Sequence, residues 1–236
     1  MQFKVYGTGG KPVIAIPCQS GTYLEFEGKG MLDVYAKYIE DGKVQVFTVD
    51  SIDSETLFGE GEPHKRVVLH ERWIQYIVYE ALPEFAAINA QGGYKGKFAV
   101  CGLSLGALHA ATLMFRFPDK FDALMALSGV YTNEYCFGAY HDRLTYENSP
   151  QQFLANMPQD HPYIEQYNNS RIILCVGQGA WENETLDSTR AMADILNSKN
   201  INAWVDFWGY DVCHDWNWWF LQAAYFLPHI LNDNNG

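Results

Sequence analysis

A serine between two glycines lies where an apolar run gives way to a helical pattern. The segment Gly102-Leu103-Ser104-Leu105-Gly106 follows KFAVC and precedes ALHAATLMFRF. This G-x-S-x-G spacing is typical of a sharp turn that exposes the serine hydroxyl, with glycines where side chains would strike the backbone. The helix that follows directs N–H groups and the positive end of its dipole toward a developing oxyanion. The sequence therefore predicts that Ser104 is a nucleophile.

A serine nucleophile needs a base, and the positions of the seven histidines narrow the choice. When the nucleophile sits on such a turn, an acid follows it in the chain and a histidine follows the acid. His214 meets this order, because it lies in the loop between the last predicted strand and the last predicted helix. The other histidines precede Ser104 or fall in helices or in an irregular segment, and His109, inside the helix after the turn, is expected to be packed or hydrogen-bonded. We predict that His214 is the base.

The acid that orients the base is expected directly after the strand RIILCV. The loop there reads GQGAWENE and contains no aspartate, so Glu182 is the first candidate. A carboxylate in this role fixes the histidine tautomer and stabilises the protonated ring, which glutamate can do if the backbone accommodates its longer side chain. Glu184, Asp187 and Asp211 remain alternatives.

An oxyanion on the substrate needs two backbone N–H donors. One is the N–H group of Leu105, the residue after the nucleophile. The other is expected in the loop PCQSG after an early strand, on Gln19, with Cys18 as the alternative.

Tryptophans gather around the predicted acid and base. Six of the seven lie between Trp181 and Trp219. We expect Trp181 and Trp218 to form part of a substrate pocket, although core packing is the commoner fate of a tryptophan. Cys18 is a third candidate for substrate contact because it follows a strand end near the site, and burial as a small apolar side chain is its alternative.

The elements that must position these residues alternate between strands and helices. Strands are predicted over 11–17, 44–49, 97–101, 171–176 and 203–207, and 121–127 leads into another strand. Helices are predicted over 31–39, from Pro63 onward, and over 107–117, 186–199 and 216–230. Such alternation predicts an α/β fold with a mostly parallel sheet flanked by helices. Functional loops gather at the carboxyl ends of such strands, where the candidate residues are expected.

Residues 131–170 break the alternation. They are rich in Tyr, Asn, Gln and Pro and have no clear period. An irregular stretch of this length is more typical of a functional insertion than of a linker. We predict a cap over one end of the sheet, inserted in a single domain that spans residues 1–236.

The composition limits the class of protein. The chain has 236 residues, 48% of them hydrophobic, so it can bury a large core without disulfides or metals. A net charge of −12 argues against nucleic-acid partners and against electrostatic binding to membranes. There is no signal-peptide pattern, no apolar stretch long enough to span a membrane, no CxxC pair among five cysteines, and no metal or dinucleotide motif. These features predict a cytoplasmic protein without cofactor or metal. The sequence is also compatible with a homo-oligomer.

Two segments resemble a known family. VCGLSLGALHAATLMFRFPDKFDALMALSGVY and the ending GYDVCHDWNWWFLQAAYFLPHI are similar to esterase D-like esterases of the α/β-hydrolase fold, especially small bacterial members that end in HDW-x-WW. The resemblance runs from about Pro12 to the end of the chain and implies a cofactor-free serine hydrolase acting on esters. It supports Ser104 and His214, and Trp181-Glu182 matches a W-[DE] pair of the acid loop. The loop GQGAWE lacks the family's more usual aspartate, and PCQSG lacks its common His-Gly pair.

The leading hypothesis is a serine esterase that cleaves small-molecule carboxylic esters. An acyl-enzyme would form on Ser104, with His214 as base and Glu182 as acid. An acyltransferase or a thioesterase could use the same triad. A non-catalytic binding module on a hydrolase fold is the hypothesis of another class, and such a module would be expected to have lost Ser104 or His214.

Overall fold

Seven strands form one sheet in the computed structural model, which describes residues 1–231. The strands are β1 (Phe3–Tyr6), β2 (Lys11–Ile16), β3 (Val44–Val49), β4 (Phe98–Leu103), β5 (Phe121–Leu127), β6 (Arg171–Val176) and β7 (Trp204–Phe207). Their order is β1-β3-β2-β4-β5-β6-β7, and every neighbouring pair is parallel except β1 with β3. The predicted mostly parallel sheet is confirmed. The additional strand β1 is a short, partly exposed edge strand with too few buried residues to give a sequence pattern.

Eleven α-helices are found within residues 1–231. They are α1 (Glu25–Lys29), α2 (Met31–Glu40), α3 (Pro63–Tyr76), α4 (Leu82–Ala90), α5 (Leu105–Arg116), α6 (Glu134–Phe137), α7 (Arg143–Glu147), α8 (Pro150–Ala155), α9 (Tyr163–Asn168), α10 (Asn183–Ser198) and α11 (Trp216–Leu231). The long helix expected after Pro63 is divided by a π-helical turn over Ile77–Ala81. Pro83 follows this turn and lacks the N–H group that a continuous α-helical ladder would use. None of the helices described is both long and apolar enough to cross a membrane.

The sheet is buried on both faces, as parallel sheets usually are. On β2, Val13 and Ala15 pack into a core formed with α1, α2 and α11. Ile14 and Ile16 point to the opposite face, where α3, α4, α5, α8, α9 and α10 pack. Because successive side chains of a strand alternate between faces, one apolar run supplies both cores. The central strands are therefore fixed in position, and with them the loops at their carboxyl ends.

Residues 131–170 contain four short helices, α6 to α9, rather than irregular chain. Each has six residues or fewer, which is too short for a helical period to be visible in the sequence. α8 packs against α5 and α10, α7 against α3, and α9 against β6. Most of the segment thus lies along one helical face of the sheet, and of its residues only Tyr135 lines the cleft described below. Its role as a cap stays a prediction, as does the single-domain range of 1–236, whose last five residues lie outside the described part.

Candidate active site

The turn at Ser104 joins β4 directly to α5. Ser104 has φ 54° and ψ −125°, in the left-handed half of the map that a residue with a side chain rarely adopts. The flanking glycines allow this geometry: a Cβ on Gly102 would lie 2.0 Å from the carbonyl oxygen of Gly106, and a Cβ on Gly106 would lie 2.3 Å from that of Pro17. The Ser104 N–H donates to the Leu127 carbonyl at 2.9 Å, which fixes the turn to β5.

A chain of hydrogen bonds connects Ser104 to a buried carboxylate. The Oγ of Ser104 lies 2.8 Å from Nε2 of His214, and Nδ1 of His214 lies 3.1 Å from Oε2 of Glu182. Because a carboxylate can only accept, it assigns the ring proton to Nδ1 and leaves Nε2 free to accept the serine proton. The three residues chosen from the sequence are thus brought together in the arrangement that activates a serine.

Several groups hold Glu182, which is only 1% exposed. Ser128 Oγ donates to Oε1 at 2.6 Å, and Thr185 Oγ1 donates to Oε2. Trp219 Nε1 donates to Ser128 Oγ at 2.9 Å, and its ring lies edge-on to the His214 ring with 4.9 Å between centroids. These contacts fix the longer glutamate side chain. The sequence alone does not reveal these three contacts, because Ser128 and Trp219 lie far from Glu182 in the chain and a threonine three residues after a glutamate is not a distinctive pattern.

The acid loop and the histidine loop are also bound to each other. The His214 N–H donates to the Ala180 carbonyl at 3.0 Å, and the Gly179 N–H donates to the Val212 carbonyl at 2.8 Å. A Cβ on Gly177 or on Gly179 would lie 2.2 or 2.7 Å from that Val212 oxygen. The GQG sequence therefore lets the two loops approach closely enough for the carboxylate to reach the ring.

The alternative acids lie elsewhere. Glu184 is exposed at the cleft, Asp187 is exposed and pairs with Arg190 at 3.5 Å, and Asp211 is exposed. In residues 1–231, no hydrogen bond joins any of these three carboxylates to His214.

The loop between β2 and α1 supplies candidates for oxyanion binding. The N–H groups of Cys18, Ser20 and Gly21 are already used, donating to Glu25 Oε2 at 2.7 Å, Asp53 Oδ2 at 3.2 Å and the Cys18 carbonyl at 2.9 Å. The Gln19 N–H makes no hydrogen bond within the described range, and Gln19 lines the cleft. Leu105, the first residue of α5, lines the same cleft. The close contact of Gly106 with Pro17 brings the two donor segments together.

The cleft above Ser104 has a volume of about 420 Å³, and its lining combines aromatic and polar side chains. Phe58 and Tyr135 meet edge to face on one wall, with 6.0 Å between ring centroids. Trp181 forms another part of the wall, 87% exposed and with a left-handed φ of 67°. Among residues 1–231, Glu184 is the only Asp or Glu residue that lines the cleft, and no Lys or Arg residue lines it.

Two of the predicted substrate contacts do not line this cleft. Trp218 lies on α11 beside Trp219, and since neighbouring helical residues point in different directions, only Trp219 faces His214. Cys18 packs against the core instead, and burial, with the nearby Glu25 charge, raises the pKa of its thiol. Of the three candidates, only Trp181 lines the cleft.

All five cysteines are free, and within residues 1–231 there is no group of three or more His, Cys, Asp or Glu residues that could hold a metal ion.

A mostly parallel sheet with a serine on the turn after β4, and with an acid and a histidine in the loops after β6 and β7, is an α/β-hydrolase. The chain belongs to an esterase family, because residues 1–227 match the family described as "Putative esterase". Its class is therefore carboxylic-ester hydrolase.

Solved structures share this fold at low sequence identity. A ferulic acid esterase is 17% identical with a TM-score of 0.71, and the match covers 95% of this chain and 86% of that one. An S-formylglutathione hydrolase from Agrobacterium tumefaciens is 13% identical with a TM-score of 0.71, covering 98% and 89%. A fluorophosphonate-binding serine hydrolase from Staphylococcus aureus is 15% identical with a TM-score of 0.63, covering 96% and 85%. A comparison with curated proteins finds no match.

Proposed function

We propose that this protein hydrolyses small, uncharged carboxylic esters through an acyl-enzyme on Ser104. His214 acts as general base and then as general acid, and Glu182 orients it. The observation that carries the proposal is the continuous hydrogen-bond chain from Glu182 through His214 to Ser104.

The proposed reaction has two halves. His214 Nε2 takes the Ser104 proton as Oγ attacks the acyl carbon, and the N–H groups of Leu105 and Gln19 bind the resulting oxyanion. The tetrahedral intermediate collapses, the bond to the leaving alcohol breaks, and His214 gives its proton to that alcohol. A water molecule deprotonated by His214 then attacks the acyl carbon, releasing the acid and returning the proton to Ser104.

The cleft favours uncharged esters with an aromatic or otherwise apolar group. Phe58, Tyr135 and Trp181 supply apolar surface. S-formylglutathione carries carboxylates, and the described residues that line this cleft include Glu184 but no Lys or Arg that could bind them. The exposure of Trp181 and Tyr135 leaves the site open to water, which favours hydrolysis over acyl transfer to a second alcohol. The cytoplasmic location and a homo-oligomeric state stay predictions.

A panel of p-nitrophenyl esters with acetyl, butyryl and aromatic acyl groups tests the proposal. Wild type should hydrolyse these esters, and Ser104→Ala and His214→Gln should each lower kcat by at least about 10³-fold. Ser198→Ala, which changes an exposed serine at the end of α10, is the matched control and should retain wild-type rates. Undiminished hydrolysis by Ser104→Ala would contradict the proposal.

A further inference from the structure

A second carboxylate–histidine pair is buried beside the site. Asp53 follows β3 and is 1% exposed, and its Oδ1 lies 2.9 Å from Nε2 of His109, which is equally buried. His109 lies on α5, the helix that begins at Leu105. Neither Asp53 nor His109 lines the cleft, so the pair does not touch substrate.

The other oxygen of this carboxylate holds the loop that carries Gln19. Asp53 Oδ2 accepts the N–H of Ser20 at 3.2 Å. Ser20 has a left-handed φ of 56°, which a residue with a side chain adopts only where its surroundings enforce it. Asp53 therefore connects the helix that bears one proposed oxyanion donor to the loop that bears the other.

The charges around Asp53 agree with a carboxylate that accepts hydrogen bonds from both His109 and Ser20. Burial alone would raise the pKa of Asp53, but the electrostatic attraction and hydrogen bond of His109, together with the Ser20 N–H, lower it. Burial and the nearby His109 lower the pKa of His70 to about 3, so His70 is an uncharged ring.

The His109 ring is held in place by its neighbours. The rings of His70 and Trp73 each lie with centroids 5.1 Å from that of His109. Nδ1 of His109 is buried and has no hydrogen-bond partner among the described residues, which leaves Asp53 as the polar anchor of the ring.

We propose that Asp53 and His109 are positioning residues that set the spacing between the Leu105 and Gln19 N–H groups. By fixing Ser20 relative to α5, they align Gln19 before the oxyanion forms. Such donors stabilise a transition state only when they are aligned in advance. The inference rests on the proposed ester hydrolysis and adds two residues that act through the oxyanion donors.

The test compares three variants at these positions. Removing one oxyanion donor costs about 10²–10³-fold in kcat, so misaligning one through Asp53→Asn or His109→Leu should cost about 10- to 100-fold. KM should change less than about threefold, because the donors act on the tetrahedral state rather than on bound ester. His109→Gln retains an amide donor near the position of Nε2 and should recover most of the loss.

Asp50→Asn is the matched control. Asp50 also accepts backbone N–H groups in this region, from Gln2 at 2.8 Å and Tyr23 at 3.1 Å, but it does not contact Ser20 or α5. Its kcat should stay close to that of wild type. A loss of kcat equal to that of Asp53→Asn would mean that general loosening of the loop explains the effect, and would overturn the proposal.

Amide hydrogen exchange in wild type provides a second measurement that does not depend on any variant folding. The Ser20 N–H should be protected in the free enzyme, whereas the Gln19 N–H should become protected only when phenylboronic acid forms a tetrahedral adduct.

An unprotected Ser20 N–H in the free enzyme, or equal kcat losses in His109→Gln and His109→Leu, overturns the inference. If wild type hydrolyses esters and Asp53→Asn is fully active, the inference is overturned and the proposed function stands. If wild type is inactive on every ester, both the proposed function and the inference are overturned.

Discussion

The contacts of Glu182 show how separate segments of the chain define a site. Its carboxylate receives hydrogen bonds from Ser128, Thr185 and His214, residues that lie on three different segments. Ser128 itself has a left-handed φ of 52°. A residue in this conformation is strained, and it persists because the bonds around it over-determine its position. Hydrogen bonds from these three residues, and not burial alone, therefore hold the Glu182 carboxylate in place.

The identity of the acid can be tested with charge-neutral substitutions. Glu182→Gln should lower kcat about 10³- to 10⁴-fold, because it removes the carboxylate that holds the Nδ1 proton and stabilises the imidazolium. Asp187→Asn and Asp211→Asn change exposed carboxylates that make no contact with His214 and should stay within about threefold of wild type, since such surface changes rarely perturb a site. The measurement is steady-state hydrolysis of p-nitrophenyl acetate. A large loss in Asp211→Asn combined with a small one in Glu182→Gln would assign the acid to Asp211.

The turn between β4 and α5 requires glycine on both sides of Ser104, because a side chain at either position would overlap the backbone. A Cβ at Gly102 or Gly106 would lie 2.0 or 2.3 Å from a backbone oxygen, which is closer than real Cβ atoms approach. Gly28 in α1 is the opposite case, with nothing within 4 Å of its would-be Cβ and no left-handed φ.

These two glycines form a matched pair for a stability experiment. Gly106→Ala should lower the free energy of unfolding by about 1–3 kcal/mol, because the added methyl group forces the backbone of α5 and Pro17 apart. Gly28→Ala should raise it by about 0.4–1 kcal/mol by restricting the unfolded chain. Urea denaturation of both variants measures the difference. Equal effects of the two substitutions would contradict the packing described for the turn.

A charged clamp joins α3, α5 and the helices of residues 131–170. Arg116 on α5 donates two hydrogen bonds of 2.8 Å to the Glu71 carboxylate on α3, and Asn148 and Gln75 donate further bonds to it at 2.8 and 2.6 Å. Burial alone would raise the pKa of Glu71, but Arg116 and the amide donors lower it to about 2.

The clamp makes a pH-dependent contribution to stability. Because the pKa of Glu71 is lowered in the folded state, its contribution is complete above the ordinary pKa of 4.5 and is lost as the pH falls toward 2. The difference in Tm between wild type and Glu71→Gln should therefore be largest near pH 7 and should shrink between about pH 4.5 and pH 2. Thermal melts of both proteins across this range provide the test. A difference that is constant with pH would contradict the assigned role of the clamp.

The elements also show what a single sequence can and cannot predict. Continuous apolar runs such as PVIAI and FAVC predicted the central strands, since a strand buried on both faces reads as an unbroken run. Edge strand β1 and the short helices α6 to α9 have too few buried residues to produce a pattern. The prediction for Ser104 rests on a local motif, and the prediction for His214 rests on its order in the chain. The Asp53–His109 pair joins residues 56 positions apart, and no local spacing reveals it.

At the scale of the whole molecule, charge is the dominant feature. The net charge is −12, and Glu184, one of the carboxylates that contribute to it, lines the cleft, where no Lys or Arg of the described residues balances it. A negative field of this kind lowers the local concentration of anionic ligands and leaves neutral ones unaffected. The protein should therefore hydrolyse anionic esters with a lower kcat/KM than neutral esters that contain the same reacting group.

Salt dependence tests this selection. A p-nitrophenyl ester that carries a free carboxylate should have a lower kcat/KM than its neutral counterpart at low ionic strength. The gap should narrow as salt shortens the screening length from about 30 Å at 0.01 M to about 3 Å at 1 M. Glu184→Gln should narrow it further. Equal kcat/KM values for both esters at low salt would show that the negative charge does not select against anionic esters.

We propose that Ser104 is the activated nucleophile of an ester hydrolase. Peptide mapping by mass spectrometry after reaction with a fluorophosphonate tests it most directly, because the reagent marks the residue that attacks. We expect one adduct per chain, located on Ser104 and absent from Ser104→Ala. An adduct on another residue, or no adduct on a folded enzyme that still hydrolyses esters, would contradict it.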